Sequence, residues 1–393
     1  MSSAAYFFSL LLLLIEFLDE IVFGVREAAW PLIRDDLSLT YAQVGLLLGL
    51  PGILGNLLEI PLGVLGDVWS RRAIVLAGGL CFATALLLIG SATSFTMLLL
   101  GFILFYPASG AFVALGQATL MDLDPARHEQ SMARWNLAGS LGNVAGPLML
   151  GGAALLTLGW RSLFLLFALL TLGMVFLVAR HPFPRPDDTP EETGLHVGLR
   201  GVWAALRQRK ILRWLLLLEC ADLMGDILLG FLALYFVDVV GVSATTAGLA
   251  VALWVGVGLI GDALLIPLLA RVQGLSYLRL SAAVTMLLYI AFLLVPSLGL
   301  KLILMTLLAL ANSGWYPILQ GQLYAAMPGR SGTVMTLGSI AGIVAGFLPL
   351  GLGRVAEQGS LSLTMGLLLI GPVVLLVALP RPEPTASAEC PTP

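Results

Sequence analysis

Acidic residues inside apolar segments recur 203 positions further along the chain. Glu16 and Asp19 are repeated as Glu219 and Asp222, and the same ungapped offset continues beyond them. Leucine-rich runs match one another by chance, but carboxylates inside such runs do not, because a charge in hydrocarbon is costly and rare. The repeat therefore predicts two related halves, each with acidic side chains in the middle of an apolar segment.

The composition is that of an integral membrane protein. Hydrophobic residues make up 59% of the chain and charged residues 11%, whereas a soluble domain carries roughly 25% charge. The three cysteines have neither metal-ligand spacing nor the pattern of a disulfide framework. No phosphate loop, metal cluster, catalytic triad or nucleic-acid patch is evident in the sequence. It therefore predicts no enzyme, no cofactor, no bound metal and no nucleic-acid partner.

The apolar segments divide the chain into two sets of six. A membrane-spanning helix needs about 20 apolar residues, and twelve segments qualify: 6–33, 41–66, 73–92, 95–121, 131–156, 160–180, 212–237, 244–270, 275–296, 299–327, 332–353 and 361–379. We therefore predict an all-α membrane protein with these parts: an N-terminal six-helix bundle at 1–180, a cytoplasmic linker at 181–211, a C-terminal six-helix bundle at 212–380 and a disordered tail at 381–393.

Basic residues in the connecting loops predict the orientation. If the N-terminus is cytoplasmic, the short outer loops hold few Lys or Arg residues, and the inner loops and tail hold most of them. Because cytoplasmic loops are enriched in Lys and Arg, both termini are predicted on the cytoplasmic side of the membrane.

Two later segments also repeat. Phe105-Tyr106-Pro107 in span four resembles Trp315-Tyr316-Pro317 in span ten. Two six-span halves related in this way are an architecture of secondary transporters, which bind a small-molecule substrate between the halves near the centre of the bilayer.

The end of span two resembles the signature motif of the major facilitator superfamily. Val68 and Ser70 depart from the family's basic residue and second glycine, and four positions match: Gly63, Asp67, Arg71 and Arg72. The resemblance implies the family's two-bundle fold and a gate at the cytoplasmic end of the protein. Glu59 and its repeat Asp262 are also predicted to belong to this gate, because they lie towards the cytoplasmic ends of spans two and eight. The alternative is that the two arginines only anchor the loop at the membrane surface.

Span five resembles the superfamily's antiporter motif. Gly142, Gly146 and Pro147 match, and one extra residue precedes the last glycine pair. The alternative is close helix packing, since small residues four apart allow backbones to approach. Within the superfamily, the first half resembles the fosmidomycin-resistance type of bacterial drug exporters in these stretches: 31–32, 37–45, 105–107, 130–131 and 146–148. This resemblance implies a bacterial inner membrane as the location.

Span one carries a charged stripe. At 100° per residue its charged side chains and Phe23 fall within an arc of about 120°, and this stripe cannot face lipid. A narrower stripe in span seven occupies the equivalent place, so the two are predicted to confront each other across a cavity. Their members are Glu16, Asp19, Glu20, Arg26 and Glu27 in span one, and Glu219, Asp222 and Asp226 in span seven.

Crowded acids in a medium of low dielectric repel each other, which favours uptake of a proton. Asp19 and Asp222 are predicted as the proton (or sodium) carriers, with Glu16, Glu219 and Asp226 next. Arg26 is expected to neutralise Glu27 or Asp19. The alternative is an ion-pair network that only orients the helices. The predicted substrate cavity comprises Glu20, Arg26, Glu27, Tyr106, Asn136, Asn143, Trp315 and Tyr316.

The sequence thus predicts a secondary transporter that works by alternating access in the bilayer. Its predicted activity is proton-coupled export of a small amphipathic or cationic solute or drug. One alternative is uptake or facilitated transport of a nutrient, sugar or metabolite. Another, of a different class, is a transporter-like lipid scramblase or sensor.

Overall fold

The computed structural model describes residues 3–68, 70–123, 128–181, 183, 203–269, 271–327 and 331–380, and this part of the chain is helical without strands. The tail at 381–393 and most of the predicted linker lie outside it. The all-α prediction is confirmed for the residues described. The physical reason is that a backbone in lipid must satisfy its hydrogen bonds internally, as a helix does.

The described part of the first half contains seven helices. The fourth continues into the fifth through a π-helical turn at Gly110–Ala114. Their bounds are α1 Ser3–Leu37, α2 Tyr41–Val68, α3 Arg71–Gly90, α4 Phe95–Ser109, α5 Leu115–Leu123, α6 His128–Leu155 and α7 Trp160–Ala179.

The second half contains more interruptions. A π-helical segment at Leu223–Ile227 separates its first two helices. The bounds are α8 Arg209–Asp222, α9 Leu228–Asp238, α10 Ala244–Leu269, α11 Gly274–Leu294, α12 Leu298–Asn312, α13 Trp315–Ala325, α14 Ser331–Ala345, α15 Phe347–Gln358, α16 Leu361–Leu367 and α17 Ile370–Ala378.

Among the described residues, nine helical stretches are long and apolar enough to cross a membrane. Helix α1 is not one of them, because it carries the charged stripe. It is nevertheless deeply placed: its Leu12, Val25, Ala28 and Trp30 are fully buried. A charged helix surrounded by other helices avoids the cost of facing lipid.

Several helices of the two halves pack against each other. Helix α2 packs along α14 and α15, α1 packs against α9 and α10, and α6 packs against α10. The backbones of α2 and α15 nearly touch: a Cβ on Gly49 would lie 2.2 Å from the carbonyl oxygen of Gly346, and one on Gly353 would lie 2.6 Å from that of Tyr41. Glycine at these positions permits the close approach.

Polar groups also join the halves. Arg34 at the end of α1 donates from Nη2 to Asp238 Oδ1 at 2.8 Å, and the hydroxyl of Tyr41 donates to Asp238 Oδ2 at 2.5 Å. We call the end of the bundle defined by Arg34, Tyr41 and Asp238 the closed end.

Candidate functional site: an acidic central cavity

A cavity of about 670 Å³ lies between the two halves. It is lined by both predicted stripes together with α2, α14 and α15. The structure brings together most of the residues predicted for substrate and ion binding: Glu20, Arg26, Glu27, Tyr106, Asn143, Glu219, Asp222, Asp226 and Tyr316.

Arg26 is held by its neighbours in the first half. Its guanidinium donates from Nε to Glu27 Oε1 at 2.9 Å and from Nη1 to the hydroxyl of Tyr106 at 2.6 Å. It also lies 4.7 Å from the ring centroid of Phe23. Glu27 receives a further bond from Trp30 Nε1 at 3.1 Å. Of the two partners expected for Arg26, Glu27 is therefore the one that the structure pairs with it.

Two further acids of the stripe on α1, Asp19 and Glu20, accept hydrogen bonds from neutral side chains. Asn143 Nδ2 donates to Glu20 Oε2 at 2.6 Å, and Ser109 Oγ lies 3.0 and 3.1 Å from the two carboxylate oxygens of Asp19. Glu20 lines the central cavity, whereas Asp19 is only 5% exposed and lies behind its wall. The acids predicted as one set are thus divided between two environments.

The acids of the second half flank a break in their helix. Gly225 has φ −102° and ψ −110°, which is not helical, and it separates Asp222 from Asp226. The backbone N–H of Asp226 faces the carboxylate of Asp222. Within the described part of the chain, no side chain donates a hydrogen bond to Glu219, Asp222 or Asp226. These carboxylates are left to interact with whatever enters the cavity.

Each half has a smaller side cavity that adjoins the central one. The first side cavity, of about 370 Å³, is lined by Glu16, Ser109 and Trp135, and it shares Tyr106 with the central cavity. The second side cavity, of about 420 Å³, is lined by Asp262, Asn312 and Trp315, and it shares Asp222, Asp226 and Tyr316 with the central cavity. The repeated tyrosines therefore occupy equivalent boundaries. A π-helical segment borders each side cavity, and such segments are frequent at functional sites.

Other predicted site residues lie apart from the central cavity. Asn136 is exposed on α6. Trp315 is buried and donates to Ser281 Oγ at 2.6 Å. Gly142 and Gly146 hold α6 against α1, since a Cβ on either would lie 2.5 to 2.6 Å from the backbone of α1. Pro147 is buried in the same contact, next to Gly24.

The predicted cytoplasmic gate is only partly described. The side chains of Glu59, Gly63 and Asp67 lie outside the described residues, although their backbone belongs to α2. Arg71 and Arg72 begin α3, and Arg72 Nη2 donates to the carbonyl oxygen of Ala179 at 2.5 Å. That bond ties α3 to the end of α7. The gate assignment remains a prediction.

Sequence reasoning did not identify the closed end as functional. The available signal was an arginine and an aspartate at the ends of the two charged spans. Their pairing, which joins residues 34 and 238, cannot be read from periodicity.

The comparisons with known proteins agree with this architecture. In a match of 147 residues, the chain is 25% identical to a probable nitrate transporter, NarT, of Staphylococcus carnosus (strain TM300), and the match spans 36% of each protein. Because the match spans only about a third of that relative, it gives little information about function.

Three solved structures share the fold. One is a bacterial homologue of the human lysosomal transporter Spinster in an inward-facing, occupied conformation (19% identity, 96% of this chain and 95% of that one, TM-score 0.76). Another is the nucleoside transporter NupG (14% identity, 95% of this chain and 97% of that one, TM-score 0.75). A third is a D-xylose–proton symporter (15% identity, 95% of this chain and 98% of that one, TM-score 0.70).

The match to a family covers most of the chain. Residues 12–350 fit the Major Facilitator Superfamily, which agrees with the helical fold, the apolar membrane-spanning helices and the cavity between the halves. The chain therefore belongs to the Major Facilitator Superfamily and is a membrane transporter.

Proposed function

We propose that the chain has twelve membrane spans in two pseudo-symmetric six-helix bundles, at 1–180 and 212–380, with both termini in the cytoplasm of a bacterium. The distribution of Lys and Arg and the fold shared with solved transporters support this topology. The closed end then faces the outside, so the structure corresponds to an inward-facing state of an alternating-access cycle.

The proposed activity is proton-coupled export of a small amphipathic cation, as the likeness to fosmidomycin-resistance exporters also suggests. One observation carries this proposal. Glu27 is paired with Arg26. The charge of Arg26 also acts on Glu20 and Asp226 from a distance, but four carboxylates of the central cavity form no salt bridge with a described residue: Glu20, Glu219, Asp222 and Asp226. Four ionised carboxylates in a confined site of low dielectric repel each other strongly. Protons or a cationic solute must therefore accompany them.

The lining of the cavity favours a substrate with apolar parts. Phe23, Phe231 and Tyr316 contribute aromatic surface beside the acids, which suits an amphipathic cation. An anion such as nitrate, the substrate named for the relative, is less well accommodated. The reason is that the guanidinium of Arg26 already donates hydrogen bonds to Glu27 and Tyr106.

We propose that Asp222 and Asp226 carry the coupling proton, with Glu219 beside them. They line both the central and the second side cavity, and the helix break leaves them without side-chain donors in the described part of the chain. Asp19 and Glu16 stay proposed members of the coupling set, reached from the first side cavity rather than the central one.

Transport into proteoliposomes tests the proposal. Uptake of ethidium or tetraphenylphosphonium should follow an imposed pH gradient in the direction of proton antiport. A sodium gradient of the same size should have no effect. In Asp222→Asn, transport driven by the pH gradient should be lost, while exchange at equal pH survives because it moves no net proton.

Other results would favour the alternatives. Transport that is driven by sodium would replace the proton assignment. Accumulation of labelled nucleosides or xylose, with no movement of cations, would favour nutrient uptake. Movement of fluorescent phospholipids between leaflets without any solute transport would favour a lipid scramblase.

Alternating access can be tested at the contact between α2 and α15. Gly49→Ala places a methyl group against the carbonyl of Gly346 and should force the closed end apart. Gly351→Ala is the matched control on α15, since nothing lies within 4 Å of the added methyl. Labelling of cysteines in the central cavity from the outer side should increase in Gly49→Ala only. Equal labelling in both variants would contradict the role of this contact.

A further inference from the structure

We propose that the first side cavity is a separate binding subsite for the ammonium group of an organic cation, with Glu16 as its counter-ion. This rests on the proposed function for the kind of ligand, but not for the site itself. The site is built by elements of the first half: α1, α2, α4 with the π-helical turn that follows it, α5 and α6.

The carboxylate of Glu16 is the feature that calls for a ligand. Its side chain lines the first side cavity, yet the residue is only 8% exposed. No described residue donates a hydrogen bond to it, and the neighbouring charges that act on it are those of the acids Asp19 and Glu20. A buried carboxylate without a donor is costly, and an incoming cation would relieve that cost.

The charges around the cavity leave Glu16 available. Asp19 accepts hydrogen bonds from Ser109, and Glu20 accepts one from Asn143. Arg26, the arginine of the charged stripe, donates its hydrogen bonds to Glu27 and Tyr106, not to Glu16. The potential at the cavity is therefore negative, and the described part of the chain offers no cation to balance it there.

The shape and the lining select an organic cation rather than a bare metal ion. A volume of about 370 Å³ is far larger than a metal ion needs, and the described residues contain no cluster of three or more His, Cys, Asp or Glu side chains able to hold one. Trp135 and Tyr106 supply aromatic surface beside Glu16. Aromatic rings next to a carboxylate recognise alkylammonium groups.

The position of the cavity gives the subsite a route to the translocation path. Phe23, Gly52, Asn56 and Tyr106 line both it and the central cavity. The bond from Arg26 to the hydroxyl of Tyr106 holds that ring at the boundary. An amphipathic cation can therefore place its ammonium group beside Glu16 and its apolar part in the central cavity.

Protection of an introduced thiol tests the subsite without any transport. Cys81, Cys220 and Cys390 are first replaced by alanine, and Ala114→Cys, on the exposed wall of this cavity, is labelled in purified protein with N-ethylmaleimide. This reagent is neutral, so a change of charge at Glu16 does not itself attract or repel it. Benzyltrimethylammonium should slow the labelling, and benzyl alcohol should not.

Two variants then ask whether Glu16 is the counter-ion. In Glu16→Gln the concentration of benzyltrimethylammonium that halves the labelling rate should rise at least about tenfold, because a charge-assisted contact is lost. Gly139→Ala keeps the charge but places a methyl group 2.6 Å from Glu16 Oε1, so it should also weaken protection. The control on α6 is Gly151→Ala, whose added methyl group has open space around it. In this variant, benzyltrimethylammonium should protect the thiol as well as it does in the parent.

The outcomes separate the subsite from the proposed function. Protection that is equally strong in Glu16→Gln and the parent, or no protection at all, overturns the subsite even if cations are transported. Protection that depends on Glu16 supports it even if transport turns out to be coupled to sodium. The positional control is a thiol introduced by Gly258→Cys in the second side cavity. Benzyltrimethylammonium should protect this thiol equally with and without Glu16→Gln. If Glu16→Gln also removes the protection there, the structure has changed generally, and the assignment to Glu16 is overturned.

Discussion

The two acidic stripes occupy equivalent places in the repeat, but their carboxylates are held differently. Helix α1 runs unbroken for 35 residues. Three of its acids have fixed donors: Asp19 has Ser109, Glu20 has Asn143, and Glu27 has Arg26. Such contacts orient each carboxylate and make the first stripe a rigid wall.

The second stripe lies on a helix that breaks between its acids. The π-helical segment with Gly225 separates Asp222 from Asp226, and side-chain donors are missing among the described residues. The difference teaches that the repeat preserved the Asp19/Asp222 pair of acids but not the side-chain donor that Asp19 has in Ser109. We infer that the first half positions the substrate and that the second half exchanges the proton, because a carboxylate without fixed donors can gain or lose one with little rearrangement.

The largest expected effect tests the rigidity of the first stripe. Arg26→Met leaves Glu27 buried without its cation and should lower the free energy of unfolding by about 3 to 5 kcal/mol. The double variant Arg26→Met/Glu27→Gln should recover most of this loss, since no unpaired charge remains. Thermal unfolding in detergent measures both. A single variant as stable as the wild type would mean that the pair does not hold the stripe.

The next effect compares the duplicated aspartates directly. Asp222→Asn should reduce transport driven by a pH gradient at least about tenfold, equivalent to about 1.4 kcal/mol. Asp19→Asn should reduce it less, because Asp19 lies behind the wall of the central cavity. The amide keeps the size and hydrogen-bonding capacity of the carboxyl while removing its titration. A larger loss in Asp19→Asn would reverse the comparison between the two halves.

A smaller effect is expected at the closed end, where the end of α1 meets the end of α9. Asp238→Asn removes the ion pair with Arg34, which is partly exposed and therefore worth about 1 kcal/mol. The population with this end open should rise severalfold, since 1.4 kcal/mol corresponds to a factor of about ten. Distances between spin labels across the closed end report this shift. An unchanged distance distribution would show that the contact between α2 and α15 alone closes this end.

The smallest effect concerns the helix break. Gly225→Ala has room for its methyl group, whose nearest neighbour is Asp222 Oδ1 at 3.5 Å, and it favours helix by up to about 1 kcal/mol. We expect transport to slow severalfold without loss of stability. Gly256→Ala on α10, with open space, is the control in the same transport assay. If both variants transport alike, the break is not needed for coupling.

The sequence by itself determined the helices, the membrane setting and the faces that carry charge. A period of 3.6 residues defines which side chains share a face, and the cost of charge in lipid turns that face inward. The structure places Glu20, Glu219, Asp222 and Asp226 around one cavity, and their roles stay predictions. The sequence left open whether Arg26 would pair with Glu27 or Asp19, because both lie on the same face.

Only the tertiary structure decided which acids have partners. Asp19 meets Ser109 and Glu20 meets Asn143 through helices that are distant in sequence, so no spacing along α1 predicts those contacts. The helix break at Gly225, the two side cavities and the Arg34–Asp238 contact likewise depend on how neighbouring helices pack. Periodicity selects a face of a helix, whereas a hydrogen bond requires two particular atoms within about 3 Å, and that placement comes from packing.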